Sequence, residues 1–524
     1  MTPNAPSDRN DSGAHTDRSD SGTYADRNGP SALYGIDASD DELRAALRDG
    51  EVTTSVFGLG KMGLPLAAVV AERTGDVIGV DIDPDVVDRI DDGACPVEGE
   101  PGLDSLVASQ VRRGRLRATT DGVAAATRAS VHVILVPTLV TAANEPDLSA
   151  LQAAVETIAD GLAAGDLVIV ESTVPPRVPR DVIEPILLER SGLEPGSFGV
   201  AVCPERTSSG TALRDIQGRY PKVVGGIDDE SARAAAILYG EVTDGEIDVV
   251  GDATTAAAVK VFEGIYRDVN IALANELATT ARELGISVRE AIATANELPV
   301  CDLHDPGPGV GGHCIPNYPH FVRAETETPT PLLATARRVN DRMPVHAVDA
   351  FQAGLEADGP SLSEASVGVF GLTYRPGVAE LRKAPALDAI AELEARGATV
   401  VAIDPLVDAA TVEAALESRR SNGDGPATET TIVTDRATVS SLDLDAAMVV
   451  TPHDAFDDVA WDRLDLSYLF DGREGLAFES PPSTYDVLGG RTEPADRERA
   501  SPSGRAERPV EDRAVDDGLS ASHE

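Results

Sequence analysis

Four cysteines occur in the 524-residue chain, at 95, 203, 301 and 314, and the setting of the last differs from the rest. Cys314 stands in Gly307-Pro-Gly-Val-Gly-Gly-His-Cys-Ile-Pro316, behind five glycine or proline residues in six positions and one histidine. A structural cysteine normally sits among apolar side chains on a regular element. One in a glycine-rich loop is surrounded by backbone N–H groups, which can lower its pKa and hold an oxyanion. The spacing by itself leaves a reactive Cys314 and a packed one equally open. Cys95, Cys203 and Cys301 read as structural, and the wide spacing matches no zinc pattern.

A second set of residues has dinucleotide chemistry. Gly58-Leu59-Gly60-Lys61-Met62-Gly63 fits G-x-G-x-x-G directly after a strand-like run, Thr53 to Gly58, and opens an apolar helix. The first glycine allows the tight turn, the second lets a pyrophosphate approach the backbone, and the third lets helix and strand pack closely. The helix N-terminus then offers free N–H groups to the phosphates. The next strand ends in Asp81, placed to hold the adenosine ribose hydroxyls, and no basic residue follows it, which favours NAD over NADP. The competing explanation, a glycine-rich turn in some other α/β protein, lacks the terminal acid and the length of this unit. Gly58, Gly60, Met62, Gly63 and Asp81 are therefore the expected cofactor-binding residues.

Both sets need elements to position them. Runs at Val77–Asp81, Val131–Pro137, Leu167–Glu171 and Phe198–Cys203, separated by helical stretches such as Ala150–Ala164, predict a parallel sheet with helices on both faces. Thr255–Leu284 keeps helical periodicity without proline and with one interior glycine, which predicts a long helix suited to join domains and pair with a second chain. Ser366–Gly371, Pro385–Arg396, Thr399–Asp404 and Ala446–Thr451 predict a second, smaller doubly wound unit. The expected class is α/β, two Rossmann-like domains joined by a long central helix. The expected boundaries are a disordered acidic tail over 1–48, a cofactor domain over 49–250, a central helical domain with the thiol loop over 251–345, a substrate domain over 346–489 and a disordered tail over 490–524. Two such domains leave a cleft, where two substrates can meet.

Composition bounds the function classes. With 44 basic against 89 acidic residues, the net charge of −45 repels nucleic acid and anionic membranes. It suits a salt-loaded cytoplasm, where a Debye length of roughly 3 Å at about 1 M screens self-repulsion. No apolar run reaches the length of a membrane span, and the N-terminus lacks the pattern of a secretion signal, so a cytoplasmic protein with reduced thiols is expected. Only four lysines remain, at 61, 222, 260 and 383, which singles each of them out.

Between the tails, several short motifs follow one order: GLGKMGLPLA, VPT at 136–138, ESTVPPR at 171–177, CPER at 203–206, YRDVNIALANEL at 266–277, ARRVND at 336–341, GLTYRP at 371–376, LRKAP at 381–385 and FDGR at 470–473. Together with the thiol loop they resemble the UDP-glucose/GDP-mannose dehydrogenase family. The His-Cys form of the loop is similar to the branch acting on UDP-N-acetylmannosamine and related UDP-N-acetylhexosamines. The resemblance implies a four-electron oxidation of C6 with two NAD through a thioester on Cys314, for surface glycan synthesis. It implies Lys260 near the C6 oxygen, Glu205 in the water step, and Thr138, Glu171 and Thr173 along the cofactor. It further implies Arg382 reaching substrate across a subunit interface, with Gly311, Arg267 and Asn270 on the substrate side, and a homodimer or larger even oligomer. His313 either contacts the N-acetyl sugar or packs under the loop.

Three positions depart from the family pattern. Gly264 stands where asparagine is usual, one helical turn after Lys260, and Tyr318 stands where aspartate is usual, four residues after Cys314. Arg375 replaces a lysine and keeps its charge. Losing an oxyanion donor costs roughly a hundredfold or more in rate, which leaves three outcomes open: a slow enzyme, a neighbour such as Asn270 or Asp268 acting instead, or an unusual substrate. Two other readings stay open: a sugar-nucleotide-binding paralogue without turnover, and a two-electron hydroxyacid-type dehydrogenase, which needs neither the thiol loop nor the third domain. A UDP-glucose 6-dehydrogenase is the alternative within the family.

Overall fold

The computed structural model describes residues 31–420, 430–478 and 484–490. Strands such as VIGV, VHVI and LVIV are buried along their whole length, as strands covered on both faces must be. They form an eight-stranded sheet in the order Ile247–Val249, Lys222–Gly226, Gly199–Val202, Leu167–Val170, Val131–Ile134, Thr54–Phe57, Val77–Val80, Leu116–Thr119. The six strands from Gly199–Val202 to Leu116–Thr119 are parallel, and Lys222–Gly226 pairs antiparallel to Gly199–Val202. Phe57 stands level with both Val80 and Ile134, so the turns that follow these strands emerge at one edge of the sheet. That edge is where ligands bind in such sheets.

The second unit is an all-parallel six-stranded sheet in the order Thr431–Val433, Thr399–Ile403, Ser366–Phe370, Ala446–Val449, Tyr468–Asp471, Tyr485–Val487. It repeats the first unit to the level of one carboxylate. Asp81 accepts from Leu59 N at 2.8 Å, and Asp404 accepts from Leu372 N at 2.7 Å. Asp404, however, is 1% exposed and held by His453 Nε2 at 3.1 Å, whereas Asp81 keeps partial exposure.

Two long helices join the units. Ala253–Leu284 covers the predicted helix, extended by two residues at its start, where Asp252 caps it through Thr255 N. Pro331–Asp358 runs beside it and carries Pro344 in its interior, so the boundary expected at 345 falls inside one element. The physical reason is that this helix serves both sides. Arg337 and Asn340 meet the first long helix, while Val348, Phe351 and Leu355 enter the core of the second sheet. No helix among the described residues is long and apolar enough to cross a membrane.

The N-terminal expectation needs correction. Residues 31–48 belong to the first unit rather than to a tail: Leu33 and Tyr34 are buried, and Asp40–Arg48 is a helix with a Ser39/Glu42 capping box. Leu43, Ala46 and Leu47, spaced for one helical face, are buried in the main core. Residues 1–30 and 491–524, also expected as tails, lie outside the described residues.

Candidate active site

The cofactor turn has the geometry its glycines imply. Gly58 adopts φ +93°, and a Cβ added at Gly63 would lie 1.8 Å from Gly58 O, so strand and helix approach to backbone contact. At Gly60 a Cβ would meet nothing within 4 Å, which leaves open space against the backbone where a pyrophosphate fits. The helix Gly63–Thr74 has no side-chain cap at Met62, and Met62 Sδ accepts from Thr207 Oγ1 at 3.0 Å. Asp81 also accepts from Asp83 N at 3.0 Å, which fixes its carboxylate at the end of the second strand. These residues fit a dinucleotide.

Residues from three parts of the chain converge on Cys314. The loop that carries it is threaded between elements of the second unit: a Cβ at Gly311 would lie 2.6 Å from Tyr374 Cβ and 2.7 Å from Lys383 O, and one at Gly307 2.7 Å from the Arg473 guanidinium. Gly312 N donates to Arg382 O at 2.9 Å. The glycines thus serve close approach, and Gly311 faces protein rather than substrate. Behind the loop Lys383 Nζ donates to Asn317 Oδ1 at 2.7 Å, and Asn275 Oδ1 accepts from Gly307 N at 2.9 Å.

Burial opposes ionisation of the Cys314 thiol most strongly. Hydrogen bonds with His313 and Tyr318 and the positive charges of His313 and Lys260 outweigh it, and the thiol is drawn below its ordinary pKa. His313 is held up to about 9 by its hydrogen bonds to Cys314 and to Glu380, against its burial. Its Nδ1 lies 3.8 Å from Glu380 Oε1, and Arg382 Nε lies 3.5 Å from the same oxygen. His313 therefore does not pack under the loop: its side chain is 44% exposed and faces Glu380 beside the thiol. Arg382 lies beside the loop of its own chain. Cys95 and Cys203 move the other way, pushed up by burial.

From the first sheet, the segments at 136–138 and 171–173 arrive together. Thr138 Oγ1 donates to Thr173 O at 2.5 Å, and Thr173 Oγ1 lies 3.3 Å from the Tyr318 hydroxyl. Glu205 N donates to Glu171 O at 3.1 Å, and the Glu205 carboxylate accepts from Thr207 N. The Glu171 side chain points elsewhere than expected. It is 2% exposed, paired with Lys222 Nζ at 3.0 Å and bonded to the Tyr239 hydroxyl, where burial above all raises its pKa against the pull of Lys222. A carboxylate at that depth needs a partner, and Lys222, which also sits 4.4 Å from the Tyr239 ring centre, supplies it.

Three further expectations change. Asp268 is fully buried between Arg337 and Asn340, and Asn270 holds Asp302 O at 2.7 Å and His304 N at 2.9 Å. The Asp268 carboxylate is tied to side chains of the second long helix and the Asn270 amide to the 302–304 backbone, so both are engaged away from the position of the missing asparagine at 264. Arg267 is exposed on the outer face of the long helix, in a shallow groove with Phe262, Tyr266 and His304. Glu380 was not anticipated, and Lys383, singled out by the scarcity of lysine, holds Asn317 behind the loop.

Matches to known proteins agree with this architecture in all three parts. Residues 52–243 match the NAD binding domain of the UDP-glucose/GDP-mannose dehydrogenase family, 254–342 its central domain and 368–477 its UDP binding domain. A UDP-N-acetyl-D-mannosamine dehydrogenase of Pyrococcus horikoshii is 34% identical over 445 residues, 83% of this chain and 98% of that protein. An NDP-N-acetyl-D-galactosaminuronic acid dehydrogenase of Ralstonia nicotianae is 37% identical over 361 residues, 67% of this chain and 83% of that one. The solved structure of a UDP-D-ManNAc dehydrogenase from Pyrococcus horikoshii superposes with a TM-score of 0.74 at 32% identity, covering 84% of this chain and 99% of that one. The chain belongs to the UDP-glucose/GDP-mannose dehydrogenase family of NAD-dependent nucleotide-sugar oxidoreductases.

Proposed function

We propose that this chain oxidises C6 of a UDP-N-acetylhexosamine, UDP-N-acetylmannosamine first among them, to the uronate through a thioester on Cys314, for surface polysaccharide or glycan synthesis. The observation that carries the reading is the thiol loop, in which His313, Tyr318 and Lys260 together favour the thiolate. NAD, when bound, accepts hydride. The protein's part begins with Lys260, whose charge steadies the C6 oxygen as the alcohol gives up its hydride and, to solvent water, its hydroxyl proton to become an aldehyde. The Cys314 thiolate adds to the aldehyde carbon to give a thiohemiacetal, which loses a second hydride to become a thioester. Water, relieved of a proton with the help of Glu205, then adds to the thioester carbon and expels the thiolate, leaving the carboxylate.

The choice of an N-acetylhexosamine rests on the names of the relatives and the His-Cys form of the loop. A homodimer in the cytoplasm completes the proposal, supported by an exposed apolar stripe on the long helix. The test is NADH formed per sugar with purified protein, NAD and a panel of UDP-sugars in high salt. We expect two NADH per sugar with UDP-N-acetylmannosamine and none with Cys314→Ala. One NADH per sugar, or activity kept by the mutant, would sink the thioester route; binding of sugar and cofactor without NADH would mark a protein that binds but does not turn over.

A further inference from the structure

Gly264 and Tyr318 are one feature. The helix Ala253–Leu284 runs 32 residues with a single interior glycine, although glycine in mid-helix costs roughly 0.5–1 kcal/mol relative to alanine. The reason lies across the site: a Cβ at Gly264 would lie 2.1 Å from Tyr318 Cδ2 and 2.8 Å from Cε2. The ring, 5% exposed, is seated directly on the helix backbone, with Phe321 at 5.8 Å between ring centres. Its orientation is fixed from both ends. Tyr318 N donates to Cys314 O at 3.1 Å, the hydroxyl sits 3.3 Å from Thr173 Oγ1, and Cys314 packs against the small cluster that Tyr318 forms with Val261 and Phe321.

We propose that Tyr318 is a catalytic residue whose phenol donates a hydrogen bond to the Cys314 thiolate, and that Gly264 is the vacancy that lets it reach there. The role rests on the thioester reading of the same site. Thr173 can donate to the phenol oxygen while the phenol donates to sulfur, so the chain Thr173–Tyr318–Cys314 is fully matched. Burial first, and then the charge of Cys314, drives the Tyr318 pKa well above its ordinary value, so the group stays protonated and cannot act as a base toward water. That task is left to Glu205. The groups that face the thiol are thus His313 with Glu380 behind it, Lys260 from the long helix, Tyr318, and Tyr374 from the second unit, with Glu205 near the phenol.

The experiment is the pH dependence of Cys314 alkylation by iodoacetamide, followed by peptide mass so that the other three thiols do not interfere. Tyr318→Phe keeps the ring on Gly264 and removes only the hydroxyl. We expect its alkylation midpoint to rise by about one pH unit, a tenfold loss of thiolate below the midpoint, with an unchanged thermal melt. Gly264→Ala, which pushes the ring, should raise the midpoint in the same direction. A packing role alone would leave both midpoints in place, and that result overturns the proposal. The assay uses neither sugar nor cofactor, so the two readings fail separately. Shifted midpoints without NADH from any sugar would reject the dehydrogenase reading only, and unshifted midpoints in an enzyme yielding two NADH would reject this one only.

Discussion

On the proposed thioester route, the reactivity of Cys314 depends on a cation beside it. His313, held up to about 9, and a thiol drawn below its ordinary value form a pair that titrates together, so the thiolate–imidazolium form fills the range between the two. Below that range the thiolate is protonated; above about 9 the imidazolium loses its proton. Removing the charge with His313→Gln should move the alkylation midpoint upward by about one unit, and an unmoved midpoint would falsify the pairing. Residue types told much of this in advance. A cysteine in a glycine-rich loop, a scarce lysine and a dinucleotide turn could all be read from spacing. Direction could not: Glu171, Gly311, Asn270 and Asp268 sit in matching motifs, yet each is turned toward protein, because a motif fixes position along the chain and packing decides where a side chain points.

At the scale of elements, the two long helices meet through a polar seam that reaches the thiol loop. Asn275 Nδ2 donates to Asn340 Oδ1 at 2.9 Å, Asn340 Nδ2 donates to Asp268 Oδ1 at 2.8 Å, and Arg337 closes the seam on Asp268. Burial raises the Asp268 pKa against the pull of Arg337, the cost of a carboxylate placed there. Asn275 also takes the Gly307 N–H, so the seam sets the height of the loop. Asn275→Ala leaves that buried N–H without its partner, and we expect urea unfolding to show a loss of about 1–3 kcal/mol. No loss would mean that Gly307 N finds another acceptor and the seam does not hold the loop. The strands and the first long helix were legible because their patterns are long and strongly apolar. The helix Asp40–Arg48 was not: four apolar residues in nine disappear in an acidic stretch, and only the first unit shows that Leu43, Ala46 and Leu47 face its core. The joint expected at 345 lies within a helix shared by two cores, which has no break to read.

For the whole molecule the question is what covers the outer face of the long helix. Phe262, Tyr266, Leu273 and Leu277 stand 57%, 51%, 47% and 37% exposed, and their spacing of four, seven and four residues places them on one stripe. Contiguous apolar surface of this kind marks an interaction site, and a second copy of the same helix offers a matching stripe across a two-fold axis. Two bodies that each carry −45 resist that contact. Screening shortens the reach of the repulsion from about 10 Å at 0.1 M salt to about 3 Å at 1 M. Association should therefore strengthen with potassium chloride over this range, opposite to the salt response of a pair held by attraction between opposite charges. Light scattering should give the mass of two chains at the higher salt and a mixture at the lower, with Leu273→Glu plus Leu277→Glu reduced to one chain at both. A single-chain mass at the higher salt would rule out the dimer. A dimer that weakened with added salt would place its interface on charged surface elsewhere.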